Sequence, residues 1–311
     1  MSGKRRPSPR PAQRRERPPQ PEPQRPQVPR LLGWLSGPTV DTAWPPIGRS
    51  LGRGFLTVGS SPLIVLSSFA LVFVLWIALV ALGLEGPPAR LVNLLALPPV
   101  STYFDALNGV TIYGFGPLGF LAATAFLLVR ALILALLTAL VVRIYEGEGT
   151  LAETLARGLR IVPVTAVVGL MSLTTMILGS VVLPFLGPGF GFLGSVLLLV
   201  AAMFLLAFAP VLALRRPDLP LPEVMRRGAR AALMPGSRHL LMSMLYIFLA
   251  LPVLLALTPG GAELGVNPAL GTWVWALACT FVHLGFLGAF AYRFMAIEDE
   301  VPEAPVRRAR R

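Results

Sequence analysis

The stretch that decides the fold is Leu63-Ile-Val-Leu-Ser-Ser-Phe-Ala-Leu-Val-Phe-Val-Leu-Trp76, which contains no charged residue. It belongs to an apolar run long enough to cross the hydrocarbon core of a bilayer, which takes about 20 residues as a helix. Five further runs meet the same criterion. The sequence therefore predicts an all-α integral membrane protein with six transmembrane helices, near 62–84, 116–143, 161–186, 190–214, 239–258 and 272–296.

The composition excludes a water-soluble globular protein. The 311 residues are 55% hydrophobic and 14% charged, whereas soluble domains carry about 25% charged residues. The single cysteine, Cys279, excludes an intrachain disulfide and a thiolate zinc cluster. With only two histidines we expect no metal site, and without a Gly-x-x-x-x-Gly-Lys-Ser/Thr loop we expect no nucleotide to be bound by that route. We also expect no cofactor and no nucleic-acid partner.

The distribution of basic residues predicts the orientation. If the N-terminus is cytoplasmic, the inside segments hold eleven Lys and Arg before residue 62, three in 143–160, six in 215–238 and five from Arg293 onward. These are 25 of the 27 in the chain; Arg90 would lie outside and Arg130 within a span. Because cytoplasmic loops are enriched in Lys and Arg, both termini are expected inside, with the protein in the cell membrane.

The chain divides into three parts. Residues 1–46 form a basic, proline-rich tail with too little apolar surface to fold, so we expect it to be a disordered cytoplasmic tether. Its Pro23, Pro26 and Pro29 have the spacing that domains recognising polyproline helices bind. Binding of a protein partner is therefore an alternative role for the tail. Residues 47–296 form the membrane domain, whose outer loop at 85–115 reads as a re-entrant or interfacial helix, and 297–311 form a charged tail.

A short motif recurs before three of the spans. It reads Leu51-Gly-Arg53-Gly54-Phe55, Leu155-Ala-Arg157-Gly158-Leu159 and Met225-Arg-Arg227-Gly228-Ala229. In the second copy, Thr150 and Glu153 form a capping-box pattern, and leucines recur every four residues along one face. Each copy is predicted to be a helix in the headgroup plane, with Arg53, Arg157 and Arg227 toward anionic headgroups. The membrane domain would then be three parallel repeats of surface helix plus hairpin, near 47–143, 150–214 and 221–296.

Two phrases carry a resemblance to a known family. Glu148-Gly-Thr-Leu-Ala-Glu-Thr-Leu-Ala-Arg-Gly-Leu-Arg160 and Leu221-Pro-Glu-Val-Met-Arg-Arg-Gly-Ala-Arg230 resemble the membrane-domain family of glycerophosphoryl diester phosphodiesterases and their stand-alone, YciC-like bacterial relatives. The resemblance covers roughly 47–296 and implies six spans preceded by amphipathic cytoplasmic segments in a bacterial membrane. It also implies no catalysis of its own, because the phosphodiesterase chemistry of that family belongs to a separate soluble barrel.

Arg130 is the first candidate for a binding residue, because it falls near the middle of the 116–143 span. A charge at that depth costs at least about 2.5 kcal/mol on insertion scales and usually faces a bundle interior or cavity. Either helix tilt and nearby carbonyls satisfy it, or it holds an anionic headgroup or substrate. The latter would suit a transporter for an anionic or amphipathic molecule, although no span contains the Asp or Glu that ion-coupled transporters generally use.

Ser195 and His283 are the candidates for an enzymatic alternative. A serine on the fourth span and a histidine on the sixth resemble the arrangement of rhomboid intramembrane proteases, in which the histidine takes the proton of the serine. Val196 follows Ser195 where rhomboids have glycine, and the two residues differ in predicted depth by roughly 9 Å. A histidine that bonds a neighbouring hydroxyl, such as Thr280, is the alternative. The sequence thus favours a non-enzymatic membrane module that binds anionic lipid or supports a partner protein.

Overall fold

The computed structural model describes residues 44–81, 95–101, 116–234, 236–256 and 268–301, and these residues are helical with no strand among them. The helices with described bounds are α1 Ile47–Gly59, α2 Pro62–Ala81, α3 Pro117–Glu146, α4 Leu151–Arg160, α5 Val162–Ile177, α6 Pro188–Leu206, α7 Ala209–Arg215, α8 Leu221–Leu233, α9 His239–Ala256 and α10 Pro268–Met295. A π-helical turn at Leu178–Val182 and a 3-10 turn at Leu183–Leu186 follow α5, and a 3-10 turn at Glu298–Glu300 follows α10.

Three helical segments are long and apolar enough to cross a membrane: Pro117–Glu146, Gly189–Arg215 and Leu277–Met295. Two bent pairs pass the same test together, α1 with the start of α2 at 74° and α4 with α5 at 47°, so that the total rises to five if each pair is one span. His239–Ala250 is a shorter apolar helix. An all-helical chain with several candidate spans is thereby confirmed, while the number six, the orientation and the repeats remain predictions.

The spans are apolar on both their inner and outer sides. Inward-facing residues such as Val141, Met203 and Phe290 form one buried core, while Phe192 and Leu197 are largely exposed on α6. A helix that is hydrophobic all round is typical of a membrane span, and so much exposed apolar surface is unusual for a soluble monomer. The outer surface therefore suits contact with lipid.

The third predicted span is broken where the sequence predicted one helix over 161–186. Regular α-helix ends at Ile177, and the chain continues through the π-helical and 3-10 turns to Gly187, whose φ is 129°. Pro184 lies in the second turn of this break, and a proline cannot donate the backbone bond that a continuing helix needs.

The three motif helices share one register. Ile47, Leu151 and Leu221 each begin a helix, and the motif glycine is the eighth residue of each. Gly54, Gly158 and Gly228 are all buried, and so are the residues four positions before them. The buried faces of α1, α4 and α8 therefore consist of residues at equivalent positions.

Helix α4 begins at the capping box that the sequence predicted. Thr150 Oγ1 accepts a hydrogen bond from the Glu153 backbone N–H at 3.2 Å, and the Thr150 N–H donates to Glu153 Oε2 at 2.8 Å. Leu151 and Leu159 are more than half exposed, whereas Thr154 and Gly158 face the protein. The leucine face of α4 is thus available to lipid.

Each motif helix packs on a long helix through a glycine–alanine contact. Helix α4 lies on α3, with Gly158 at Ala139; α8 lies on α6 and α7, with Gly228 at Ala209; and α1 lies on α10, with Gly54 at Ala289. Helices α4 and α8 therefore contact the long helix that precedes them in the chain. Helix α1 instead contacts α10, the last long helix, so that the first and last of these helices are neighbours.

Several predicted features lie outside the described residues. They are the disordered tail over residues 1–43 with its proline motif, most of the outer loop at 85–115, the ends of two spans at 82–84 and 257–258, and residues 302–311 of the charged tail.

Candidate functional site

A cavity of about 340 Å³ opens between α4, α5, α7 and α8. The 47° bend between α4 and α5, beside Pro163 at the start of α5, separates the two helices on one side. On the other side, Pro217 and Pro220 keep the segment between α7 and α8 from continuing as a helix. The lining residues are Arg157, Arg160, Ile161, Val164, Ala213, Leu214, Pro217, Leu219 and Val224.

The lining combines two positive charges with an apolar wall. Arg157 and Arg160 both belong to the last turn of α4, and none of the lining residues is acidic. Guanidinium groups are the usual partners of phosphate and carboxylate oxygens, and ligand clefts typically measure about 300–1,000 Å³. The cavity therefore has the size and chemistry to hold an anionic group attached to a hydrocarbon.

Arg157 is the first member of a chain of four alternating charges. Its Nη1 lies 2.9 Å from Glu146 Oε2, and Glu146 Oε1 lies 2.7 Å from Nη1 of Arg215. Arg215 Nε in turn donates to Glu298 Oε2 at 2.8 Å. The chain joins the C-terminal ends of α3 and α7 to α4 and to the turn after α10.

These ion pairs are partly open to solvent. The side chains of Arg157 and Arg215 are 38% and 35% exposed, and that of Glu146 is 15% exposed. Pairs in such surroundings typically contribute about 0–1 kcal/mol each. The Arg157–Glu146 pair is thus weak enough for a competing anion to replace.

The other two motif arginines do not line this cavity. Arg53 is exposed on α1, where its charge acts on Tyr145 near the end of α3. The side chain of Arg227 is 12% exposed, and its Nε donates to Glu223 Oε1 at 3.1 Å within α8. Of the three predicted headgroup-binding arginines, Arg157 is the one that lines this cavity.

Arg130, Tyr246 and His283 are three buried polar residues in the apolar interior. Arg130 belongs to α3, Tyr246 to α9 and His283 to α10. The Tyr246 hydroxyl accepts a hydrogen bond from the Leu97 N–H at 2.6 Å and pairs with His283 Nδ1 at 3.1 Å. His283 thus does bond a hydroxyl, but that of Tyr246 rather than Thr280, and Tyr246 was missed because nothing in the sequence pairs α9 with α10.

Ser195 and His283 have different hydrogen-bond partners in the structure. Ser195 Oγ donates to the Gly191 carbonyl of its own helix at 2.6 Å, while His283 Nδ1 pairs with Tyr246. Ser195 also packs so closely on Gly179 that a Cβ at position 179 would lie 2.9 Å from its hydroxyl oxygen. The small residues around Ser195 therefore serve helix packing against the break after α5.

Arg293 is a buried arginine that the sequence analysis counted only as a cytoplasmic charge. Its Nη1 donates to the Pro45 carbonyl at 2.7 Å and to Ser50 Oγ at 3.2 Å, and its Nη2 donates to the Ser237 carbonyl. The guanidinium also lies 5.1 Å from the centroid of the Trp44 ring. The available signal was its place at the inner end of an apolar span, where a charge is either snorkelling or buried.

No family model, no curated protein and no solved structure matches the chain. Among the described residues, no group of three His, Cys, Asp or Glu side chains is placed to hold a metal ion.

Proposed function

We propose that this chain is a non-enzymatic, multi-pass protein of the cell membrane that binds the anionic headgroups of phospholipids at its cytoplasmic face. The observation that carries the proposal is the cavity in which Arg157 and Arg160 face an otherwise apolar wall. An anionic amphiphile satisfies both parts of such a lining, because its phosphate pairs with guanidinium groups and its acyl chain covers apolar side chains.

The proposed architecture is six spans in three repeats, with both termini in the cytoplasm. The shared register of α1, α4 and α8 and their three glycine–alanine contacts support the repeats. The placement of 25 of 27 basic residues supports the orientation. The basic segments would add attraction to an acidic leaflet of about 1 kcal/mol per charge near the surface.

The experiment that tests the function is native mass spectrometry of the full chain from nanodiscs that contain equal amounts of phosphatidylglycerol and phosphatidylcholine. We expect phosphatidylglycerol to be enriched among the lipids that stay bound. Equal retention of the two lipids would contradict the proposal, because their tails are matched and only phosphatidylglycerol carries a net negative charge.

A transporter for an anionic or amphipathic small molecule is the second candidate. The observations that favour it are the buried charge of Arg130 within α3 and the break at 178–186 in the third predicted span. Arg130 does not line the cavity at α4, so transport would require a second chamber. Uptake of a labelled phosphate ester into proteoliposomes, abolished by Arg130→Met, would favour this candidate over the first.

A further inference from the structure

We propose that the cavity beside α4 is a phospholipid site in which the headgroup phosphate displaces Glu146 from Arg157. This inference rests on the proposed lipid-binding function and names the site, the ligand chemistry and the exchange by which the ligand enters. The ligand class is an anionic phospholipid, whose headgroup phosphate has no cationic partner such as the choline of phosphatidylcholine.

The geometry of Arg157 is already that of an arginine bound to a two-oxygen anion. Its Nη1 lies 2.9 Å from Glu146 Oε2, and its Nη2 lies 3.5 Å from Oε1. A phosphate presents two oxygens to a guanidinium in the same way. The Glu146 carboxylate thus occupies the position that a phosphate takes when it pairs with Arg157.

Arg160 provides the second positive charge at the same opening. It follows Arg157 by three residues on the same face of α4, and both line the cavity. The phosphodiester of a phospholipid carries one negative charge, as a carboxylate does, but its two non-bridging oxygens can each accept from a different guanidinium. A phosphate between Arg157 and Arg160 would thus have two donors on α4, whereas Glu146 pairs with Arg157 on that helix.

The wall of the cavity favours a lipid over free phosphate. Seven of the nine lining residues are apolar: Ile161, Val164, Ala213, Leu214, Pro217, Leu219 and Val224. The exposed leucines of α4, Leu151 and Leu159, add apolar surface on the same helix. Free phosphate would leave this surface in contact with water, whereas an acyl chain covers it.

The exchange leaves no charge without a partner. When phosphate takes Arg157, the Glu146 carboxylate keeps its 2.7 Å contact with Arg215. Arg215 in turn remains paired with Glu298 on the turn after α10. Glu146 therefore acts as a competitor whose displacement costs little, because its second partner is already in place.

The test is native mass spectrometry of the detergent-solubilised full chain, titrated with dioctanoyl phosphatidylglycerol, with dioctanoyl phosphatidylcholine as the zwitterionic control. The variant Arg157→Ala/Arg160→Ala should bind phosphatidylglycerol about tenfold more weakly or worse, since charge-assisted hydrogen bonds are lost. The variant Arg49→Ala/Arg226→Ala removes the same charge from exposed positions on α1 and α8 and should bind as the parent does. The variant Arg157→Lys/Arg160→Lys keeps both charges but loses the bidentate donor geometry of the guanidinium groups. We therefore expect its affinity for phosphatidylglycerol to lie between those of the parent and the alanine variant.

Two acidic variants test the exchange itself. Glu146→Gln removes the competing charge and should tighten phosphatidylglycerol binding about threefold or more, whereas Glu298→Gln breaks only the Arg215 pair and should leave the affinity unchanged. Unaltered or weakened binding by Glu146→Gln would overturn the exchange.

Competition experiments show whether the site needs an acyl chain, and the comparison of parent and variant separates the proposed site from the proposed function. Glycerol 3-phosphate and inorganic phosphate should compete poorly, and competition as strong as that of the lipid would overturn the acyl-chain requirement. If the parent prefers phosphatidylglycerol and Arg157→Ala/Arg160→Ala retains that preference, the site is wrong while the proposed function stands. If the parent shows no preference, the proposed function fails with it.

Discussion

Gly54 of α1 lies directly against the backbone of Ala289 in α10, so closely that a Cβ at position 54 would overlap the Gly285 carbonyl and the Ala289 amide. The contact joins the first and last described long elements of the chain. It is possible only because glycine has no side chain. Gly158 and Gly228 make the equivalent contacts less tightly, with nearest distances from a built Cβ of 3.1 and 3.2 Å.

The first prediction concerns this contact. Gly54→Ala should destabilise the protein by about 1–3 kcal/mol through overpacking, and more than Gly158→Ala or Gly228→Ala, whose neighbours need to shift less. Gly52→Ala on the same helix meets no atom within 4 Å and should stabilise by about 0.5–1 kcal/mol. Denaturant unfolding in detergent checks both; equal effects at positions 52 and 54 would contradict the packing.

The second prediction concerns Arg293. Arg293→Met should destabilise by about 3 kcal/mol or more, because the carbonyls of Pro45 and Ser237 lose charge-assisted donors in a buried site. Arg49→Met, at an exposed position of α1, is the matched control and should change stability by less than about 0.5 kcal/mol. Similar losses of stability for the two variants in unfolding titrations would show that the hydrogen bonds from Arg293 to Pro45 and Ser237 do not stabilise the fold.

The third prediction concerns the hydroxyl of Tyr246. Tyr246→Phe should cost about 1–3 kcal/mol, since the Leu97 N–H and His283 Nδ1 both lose their buried partner while the ring stays in place. The measurement is the free energy of unfolding, with Tyr292→Phe as the aromatic control. A variant as stable as the parent would mean that water or another group takes over both bonds.

The fourth prediction separates packing from catalysis at Ser195. Ser195→Ala should fold with nearly parental stability, because its hydroxyl bonds only a carbonyl of its own helix, while Ser195→Leu should destabilise by crowding Gly179. A fluorophosphonate probe should label neither the parent nor Ser195→Ala. Labelling that requires both Ser195 and His283 would instead establish the protease alternative.

The fifth prediction concerns acid stability. Hydrogen bonds from Arg226, and then from Arg227, hold the pKa of Glu223 below its ordinary value even though slight burial opposes them. A lowered pKa means that the stabilisation is complete above the ordinary pKa and is lost as the pH falls through the lowered one. Stability measured against pH should therefore fall less steeply in that acidic range for Glu223→Gln than for the parent.

The sequence predicted those features that depend on neighbouring residues. The apolar runs predicted spanning helices, and the 3.6-residue periodicity with Thr150 and Glu153 predicted α4 and its capping box. The Arg–Gly motif located α1, α4 and α8. These succeed because helix formation, capping and the length needed to cross a bilayer are local properties of the chain.

The site depended on which helices become neighbours. Glu146, Arg215 and Glu298 come from three separate segments, and no spacing in the sequence indicates that they meet beside Arg157. The same holds for His283, whose partner proved to be Tyr246 rather than Ser195. The sequence by itself determined the helices and their apolar character, whereas the tertiary structure decided which charges pair and where a cavity remains, because interhelical contacts depend on side-chain shape across distant segments and not on local periodicity.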